Sequence, residues 1–143
     1  MTEMNPKIMS PLALAFIGDA VMSLKMREYV LSLGYAKPND FQRLTVKFVS
    51  AKAQAEFMTT LSEQGFFTEE ELAVFKRGRN AKSLTVPKNT DVLTYKVSTG
   101  FEALIGYLYL SEQLDRVEEI FDRIKEMREL WVMYMVRMQY MRN

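Results

Sequence analysis

The sequence has no cysteine and no histidine. The first absence excludes disulfides, thiolate zinc sites and cysteine nucleophiles. The second removes the imidazole base, the Ser-His-Asp triad and histidine-ligated metals. Any chemistry must come from Asp, Glu, Lys, Tyr, Ser or Thr, or from a hard cation held by oxygen ligands. An excess of one charge is also lacking: nineteen Lys and Arg stand against eighteen Asp and Glu, a formal net charge of +1. Net charge therefore selects no partner, and a nucleic-acid argument must rest on local distribution. No run of about 18 apolar residues is present, so no membrane-spanning helix is expected. The opening MTEMNPKIMSP has no long apolar stretch behind a basic one, so no signal peptide is evident and a cytoplasmic protein is the default expectation.

What is present is helical periodicity. At 143 residues, nearly half of them hydrophobic, the chain is expected to form one domain with one core. Ser10-Pro11 predicts a helix entry, and the first helix should run to about Leu33, closed by Gly34, with YAKP as a turn. Asn39 or Asp40 is expected to cap a second helix whose apolar face is Phe41, Leu44, Phe48 and Val49. A break near Ser50 precedes a third helix closed by Gly65. Thr68 and Glu71 form a capping-box pattern opening a fourth helix, expected to reach about Arg77. GRNAKSLTVPKNTDV then reads as a loop, and Asp91 or a neighbour starts a fifth helix to about Leu110. A last helix from near Glu112 carries Leu114, Val117, Ile120, Phe121, Ile124, Met127 and Trp131 at helical spacing. The segment 131–141 is apolar on every side and would suit a strand, but the periodicity enters it unbroken and predicts helix. The class is all-α, with about six helices.

Two carboxylates interrupt apolar helix surfaces. Asp19 lies among Ala15, Phe16, Met22 and Ser23, with Leu12 and Met26 two turns away, on a stripe that should face the core. Glu102 lies among Ser98, Thr99, Ile105 and Gly106, with Tyr95 and Tyr109 two turns away. Gly18, Gly100 and Gly106 sit inside these helices at a cost of about 1 kcal/mol each, which close helix packing would explain. Packed together, Asp19 and Glu102 would repel unless one were protonated or a cation lay between them. Without His or Cys, Mg²⁺ is the natural cation; it can generate a hydroxide and stabilise a phosphoryl transition state. The plainer reading is a structural pair neutralised by Lys25 or Lys96.

Charge is also segregated. Ala73 to Thr90 holds no acidic residue but five basic ones: Lys76, Arg77, Arg79, Lys82 and Lys88. A Gly-, Asn- and Ser-containing basic loop suits phosphate backbone, and its lack of aromatics favours a duplex over a stacked single strand. The plainer reading is an ordinary solvated loop.

These residues carry a resemblance. Phe16-Ile17-Gly18-Asp19-Ala20-Val21 resembles the ribonuclease III signature, and Phe101-Glu102-Ala103-Leu104-Ile105-Gly106 its second acidic motif. Val49-Ser50-Ala51-Lys52, the stretch Lys76 to Ser83, and Pro87 to Val92 resemble the Mini-III subfamily, the ribonuclease III-type catalytic domain without a double-stranded-RNA-binding domain. The resemblance spans about Leu12 to Leu110 and fades after Glu112. It implies a homodimeric, all-helical endonuclease with one Mg²⁺-bearing site per protomer. Each site would cut one strand of duplex RNA, leaving 5′-phosphate and 3′-hydroxyl ends. It implies maturation of large-subunit (23S) ribosomal RNA precursors, on which ribosomal proteins are further candidate partners. It maps the catalytic and metal-binding acids to Asp19 and Glu102 and a dimer contact to Phe16. Arg77, Arg79, Lys82 and Lys88 would meet phosphates, with Asn80 at a groove or 2′-hydroxyl. Ala15 and Thr99 stand where longer members have acids, leaving two carboxylates per site; Thr99 would orient a metal-bound water.

A catalytically silent duplex-RNA-binding or ribosome-assembly module of the same fold is the alternative, and the presence of both acids argues against it. The methionines at 127, 133, 135, 138 and 141 crowd the tail, which is expected to pack against the body, a second protomer or another protein.

Overall fold

The structure, a computed structural model, describes residues 3–34, 37–82 and 85–142, without the side chains at 136, 139, 140 and 142. The first half of the YAKP turn, at 35–36, and the centre of the basic segment, at 83–84, lie outside the described residues. Six helices follow one another: α1 (Pro11–Ser32), α2 (Pro38–Val49), α3 (Ala51–Glu63), α4 (Glu69–Asn80), α5 (Val92–Leu110) and α6 (Leu114–Arg142). No strand occurs among the described residues, as the all-α reading requires.

The helix ends follow from local chemistry. Ser10 accepts a hydrogen bond from the Ala13 N–H, and Gly34 takes the left-handed conformation that stops α1. Ser50 closes α2 and caps α3 through the Ala53 N–H. Thr68 and Glu71 close a complete capping box, and Asp91 caps α5 through the Thr94 N–H. Two boundaries differ from expectation. The N-cap of α2 is Lys37, because Pro38 fits the first helical position and draws Asn39 and Asp40 into the first turn. And α4 runs past Arg77 to Asn80, so Gly78 is helical rather than part of a loop.

α5 is the central helix. It packs on α1, α3 and α4 and is buried almost continuously from Ser98 to Leu108. Glycines set how closely its neighbours approach. A Cβ at Gly18 would land on the Glu102 carbonyl, and one at Gly106 on the Leu14 carbonyl, so α1 and α5 cross with their backbones in contact. At the α4 crossing, a Cβ on Gly78 would come within 2.9 Å of the Gly100 Cα, and one on Gly100 within 2.7 Å of Phe75. Gly100 therefore serves α4, not α1.

α6 straps the bundle. Val117, Ile120, Phe121 and Ile124 are buried, and Arg116 holds the start of α4 through both oxygens of Glu71, at 2.8 and 2.9 Å. The helix stays against the body through Arg128, which bonds Glu56 at 2.6 Å, and ends its buried run at Val132. Of the three expected partners of the tail, the body serves it as far as Val132; beyond that point Met133, Tyr134 and Met141 are exposed on the single protomer.

Candidate active site

The Gly18 contact determines what lies beside it. With its backbone against the Glu102 carbonyl, the next residue of α1, Asp19, stands near enough to the Glu102 side chain for its carboxylate to act on it. Their environments differ. Asp19 is exposed, not core-facing as its stripe predicts: Ala15 and Met22 on that stripe are buried, while Phe16 is 78% exposed. Periodicity places Asp19 on the correct side of α1 but not at the edge of that side, where it reaches water.

Glu102 is the desolvated partner. Burial, the hydrogen bond with Asp19 and the Asp19 negative charge push its pKa up to about 9, with Gln54 pulling the other way. Without a cation, that raised pKa favours the protonated form of Glu102 at neutral pH. The cationic neutralisers proposed from sequence do not serve the pair. Lys25 is bound to Glu118 of α6, and Lys96 is an exposed residue of α5.

Gln54 is a member of the site that sequence reasoning missed. It is 2% exposed, and its Nε2 donates to the Val49 carbonyl at 2.9 Å. Gln54 also acts on Glu102, pulling its pKa down against the effect of burial. The Oε1 atom has no hydrogen-bond partner, which costs about 1–3 kcal/mol in a buried place. The signal was present: Gln54 is the polar member of a stripe completed by Phe57, Met58 and Leu61, all buried.

Thr99, expected to orient water, donates its hydroxyl to the Tyr95 carbonyl at 2.9 Å and is buried. Among the described residues no third carboxylate joins the pair. The donor set is thus two carboxyls, both hard. It suits a cation that keeps several waters, and a divalent charge would remove the reason for Glu102 to stay protonated.

The basic residues divide between a helix end and a loop. Arg77, Arg79 and Asn80 lie in the last turn of α4, while Lys82 and Lys88 are exposed beyond it. Arg77 donates to the Met9 carbonyl at 3.2 Å; Arg79 donates to Asn80 Oδ1 at 3.2 Å and lies 5.6 Å from the centre of the Phe75 ring. Gly78, between the two arginines, faces Thr99, Gly100 and Ala103 of α5. The basic end of α4 therefore crosses α5 at the level of Glu102.

The Ribonuclease III domain family matches residues 12–113. The chain is 50% identical over 116 residues to a Mini-ribonuclease 3 of Enterococcus faecalis, covering 81% of this chain and 88% of the relative. It is 47% identical over 118 residues to that of Staphylococcus aureus, covering 82% and 88%. With that of Clostridium tetani it shares 43% over 129 residues, covering 90% and 84%. A crystal structure of a Fusobacterium nucleatum protein superposes with a TM-score of 0.74 at 32% identity, covering 82% of this chain and 93% of that one.

Proposed function

The chain belongs to the ribonuclease III domain family, among relatives of Mini-ribonuclease 3, and from that premise we propose that it is a Mg²⁺-dependent endoribonuclease that cuts double-stranded RNA at Asp19 and Glu102. The observation that carries this reading is the acid pair itself. Two carboxyls are held near each other by glycine-tight helices at the level of a basic helix end, with no lysine between them.

Asp19 and Glu102 would hold the cation. When bound, it supplies a lowered pKa for water and positive charge where the phosphodiester gathers negative charge. Glu102 must give up its proton to bind; Asp19, at the solvent edge, is open to the scissile phosphate. Arg77, Arg79, Lys82 and Lys88 steer and hold backbone phosphates, and Asn80 reaches the groove. The expected products carry 5′-phosphate and 3′-hydroxyl ends. In this reading the substrate is the duplex formed by the ends of a large-subunit ribosomal RNA precursor, bound with or without ribosomal proteins, in the cytoplasm. The whole of 1–143 acts as one catalytic domain. Two protomers pair through Phe16, an aromatic that the monomer leaves in water, and each cuts one strand.

The test is incubation of duplex RNA with the wild-type protein and with Asp19→Asn, with and without Mg²⁺. Cleavage by the wild type in Mg²⁺ alone is expected. Equal cleavage by both proteins would overturn the assignment of Asp19; binding without cleavage by the wild type would make the chain a silent duplex-RNA-binding module.

A further inference from the structure

We infer that the groove where α6 meets the α2–α3 corner takes single-stranded RNA flanking the duplex, with a base stacked on Trp131 and its phosphates on Lys47 and Lys52; this rests on the RNA-cleaving reading of the acid pair. α2 ends and α3 begins at Ser50, and the corner leaves a cavity of about 320 Å³ against α6. Trp131 lines it and is only half-buried, although Val132 beside it is sealed in the core. The Lys47 ammonium stands 5.7 Å from the centre of the Trp131 ring. Lys52, in the first turn of α3, is exposed on the same groove.

Charge selects the occupant. Glu56 is the one acid lining the groove, and Arg128 takes it at 2.6 Å while donating its Nε to the Lys47 carbonyl at 3.3 Å. Lys47 and Lys52 have no carboxylate partner among the described residues. No acid follows Glu129 in the sequence, and Arg137, further along α6, is exposed. The groove is therefore cationic around an aromatic face, the combination that holds phosphates and a stacked base. A duplex keeps its base faces stacked inside, so only an unpaired strand can use the ring. The run from Lys76 to Lys88, basic but without an aromatic, is the complementary case. The groove also lies within reach of the acid pair. Lys52 shares a second opening with Thr94, which stands eight residues before Glu102 on α5, roughly 12 Å along the axis.

Trp131 is the only tryptophan in the sequence, so its fluorescence reports on the groove directly. The probe is a short single-stranded oligoadenylate added without divalent metal. Saturable quenching is expected, weakening with salt and lost in Lys47→Glu, while blunt duplex RNA quenches little. Lys47 is exposed on α2, so that variant leaves the core intact. Under the same conditions a duplex with a single-stranded flank should bind about tenfold tighter than the blunt duplex, and Lys47→Glu should remove the difference. No quenching by the single strand in a wild type that cleaves duplex RNA would overturn the groove and leave the proposed function standing. Equal quenching by the blunt duplex would overturn the single-strand assignment. A shift of Trp131 emission on phosphatidylglycerol vesicles, with none on RNA, would make this face a membrane surface and overturn it too. Quenching by the single strand in a protein that leaves duplex RNA uncut in Mg²⁺ would keep the groove and overturn the proposed function.

Discussion

Glu102 shares its surroundings with another carboxyl and is half withdrawn from water, so it keeps a proton far above the usual range, with a pKa of about 9. The sign of the linkage follows. Its folded pKa lies above the unfolded value near 4.5, so in the metal-free protein its contribution to stability is full below that value and is lost as pH rises through about 9. A bound cation reverses this preference. At pH 7, Mg²⁺ binding should release about one proton, and affinity should rise with pH until about 9. Calorimetry in two buffers of different ionisation enthalpy measures the release, and Glu102→Gln should abolish it. The same substitution should lower cleavage by at least about 10²-fold, corresponding to several kcal/mol of transition-state stabilisation. Asp19 and Glu102 were legible in the sequence because a carboxylate on an apolar helix is conspicuous. Which of the two would be desolvated was not, because period assigns a side of a helix and not its edge. Gln54 carries no charge and so gave no alarm.

Among the helices, glycine had two meanings that the sequence did not separate. At Gly18 and Gly106 the reading of close packing agrees with the structure; at Gly78, flanked by Arg77, Arg79 and Asn80, a loop was expected and a helix crossing is found. Local composition cannot distinguish a glycine that frees the backbone from one that admits a neighbour. Gly18→Ala tests the crossing. Its Cβ has no room against backbone, so α1 must lift from α5, with a loss of about 1–3 kcal/mol or more and separation of the acid pair. Denaturant titration and Mg²⁺ affinity should both fall. The α4–α6 junction supplies the acid limit of stability. Burial alone would raise the Glu71 pKa, but the bonds from Arg116 and Thr68 outweigh it and hold it below its usual value. Being depressed, it adds stability above the unfolded value near 4.5 and loses it as pH falls through the folded value. Arg116→Met should flatten the part of the acid unfolding curve below about pH 4.5 that belongs to Glu71, and destabilise the protein by about 2–4 kcal/mol at neutral pH.

The whole molecule is nearly neutral, yet the acid-free run from Ala73 to Thr90 sets five basic residues on the second half of α4 and beyond it, and α4 crosses α5 at the level of Glu102. Duplex binding should therefore weaken steeply with salt, and charge-neutralising Arg77 and Arg79 together should reduce the slope of log affinity against log salt by about 2. Filter binding across salt measures it; affinity indifferent to salt would remove these residues from the interface. Exposed Phe16, Leu12 and Leu24 line the outer side of α1, so Phe16→Arg should shift the protein toward monomer in sedimentation equilibrium. No described helix is long and apolar enough to cross a membrane, and the exposed methionines of the α6 tail do not alter that. The central claim is that Asp19 and Glu102 together hold one divalent cation. Diffraction from crystals soaked in Mn²⁺, collected at the manganese edge, tests it most directly. The account predicts an anomalous peak between the two carboxylates that disappears in Asp19→Asn; duplex cleavage in Mn²⁺ with no peak there, or with the peak elsewhere, would contradict it.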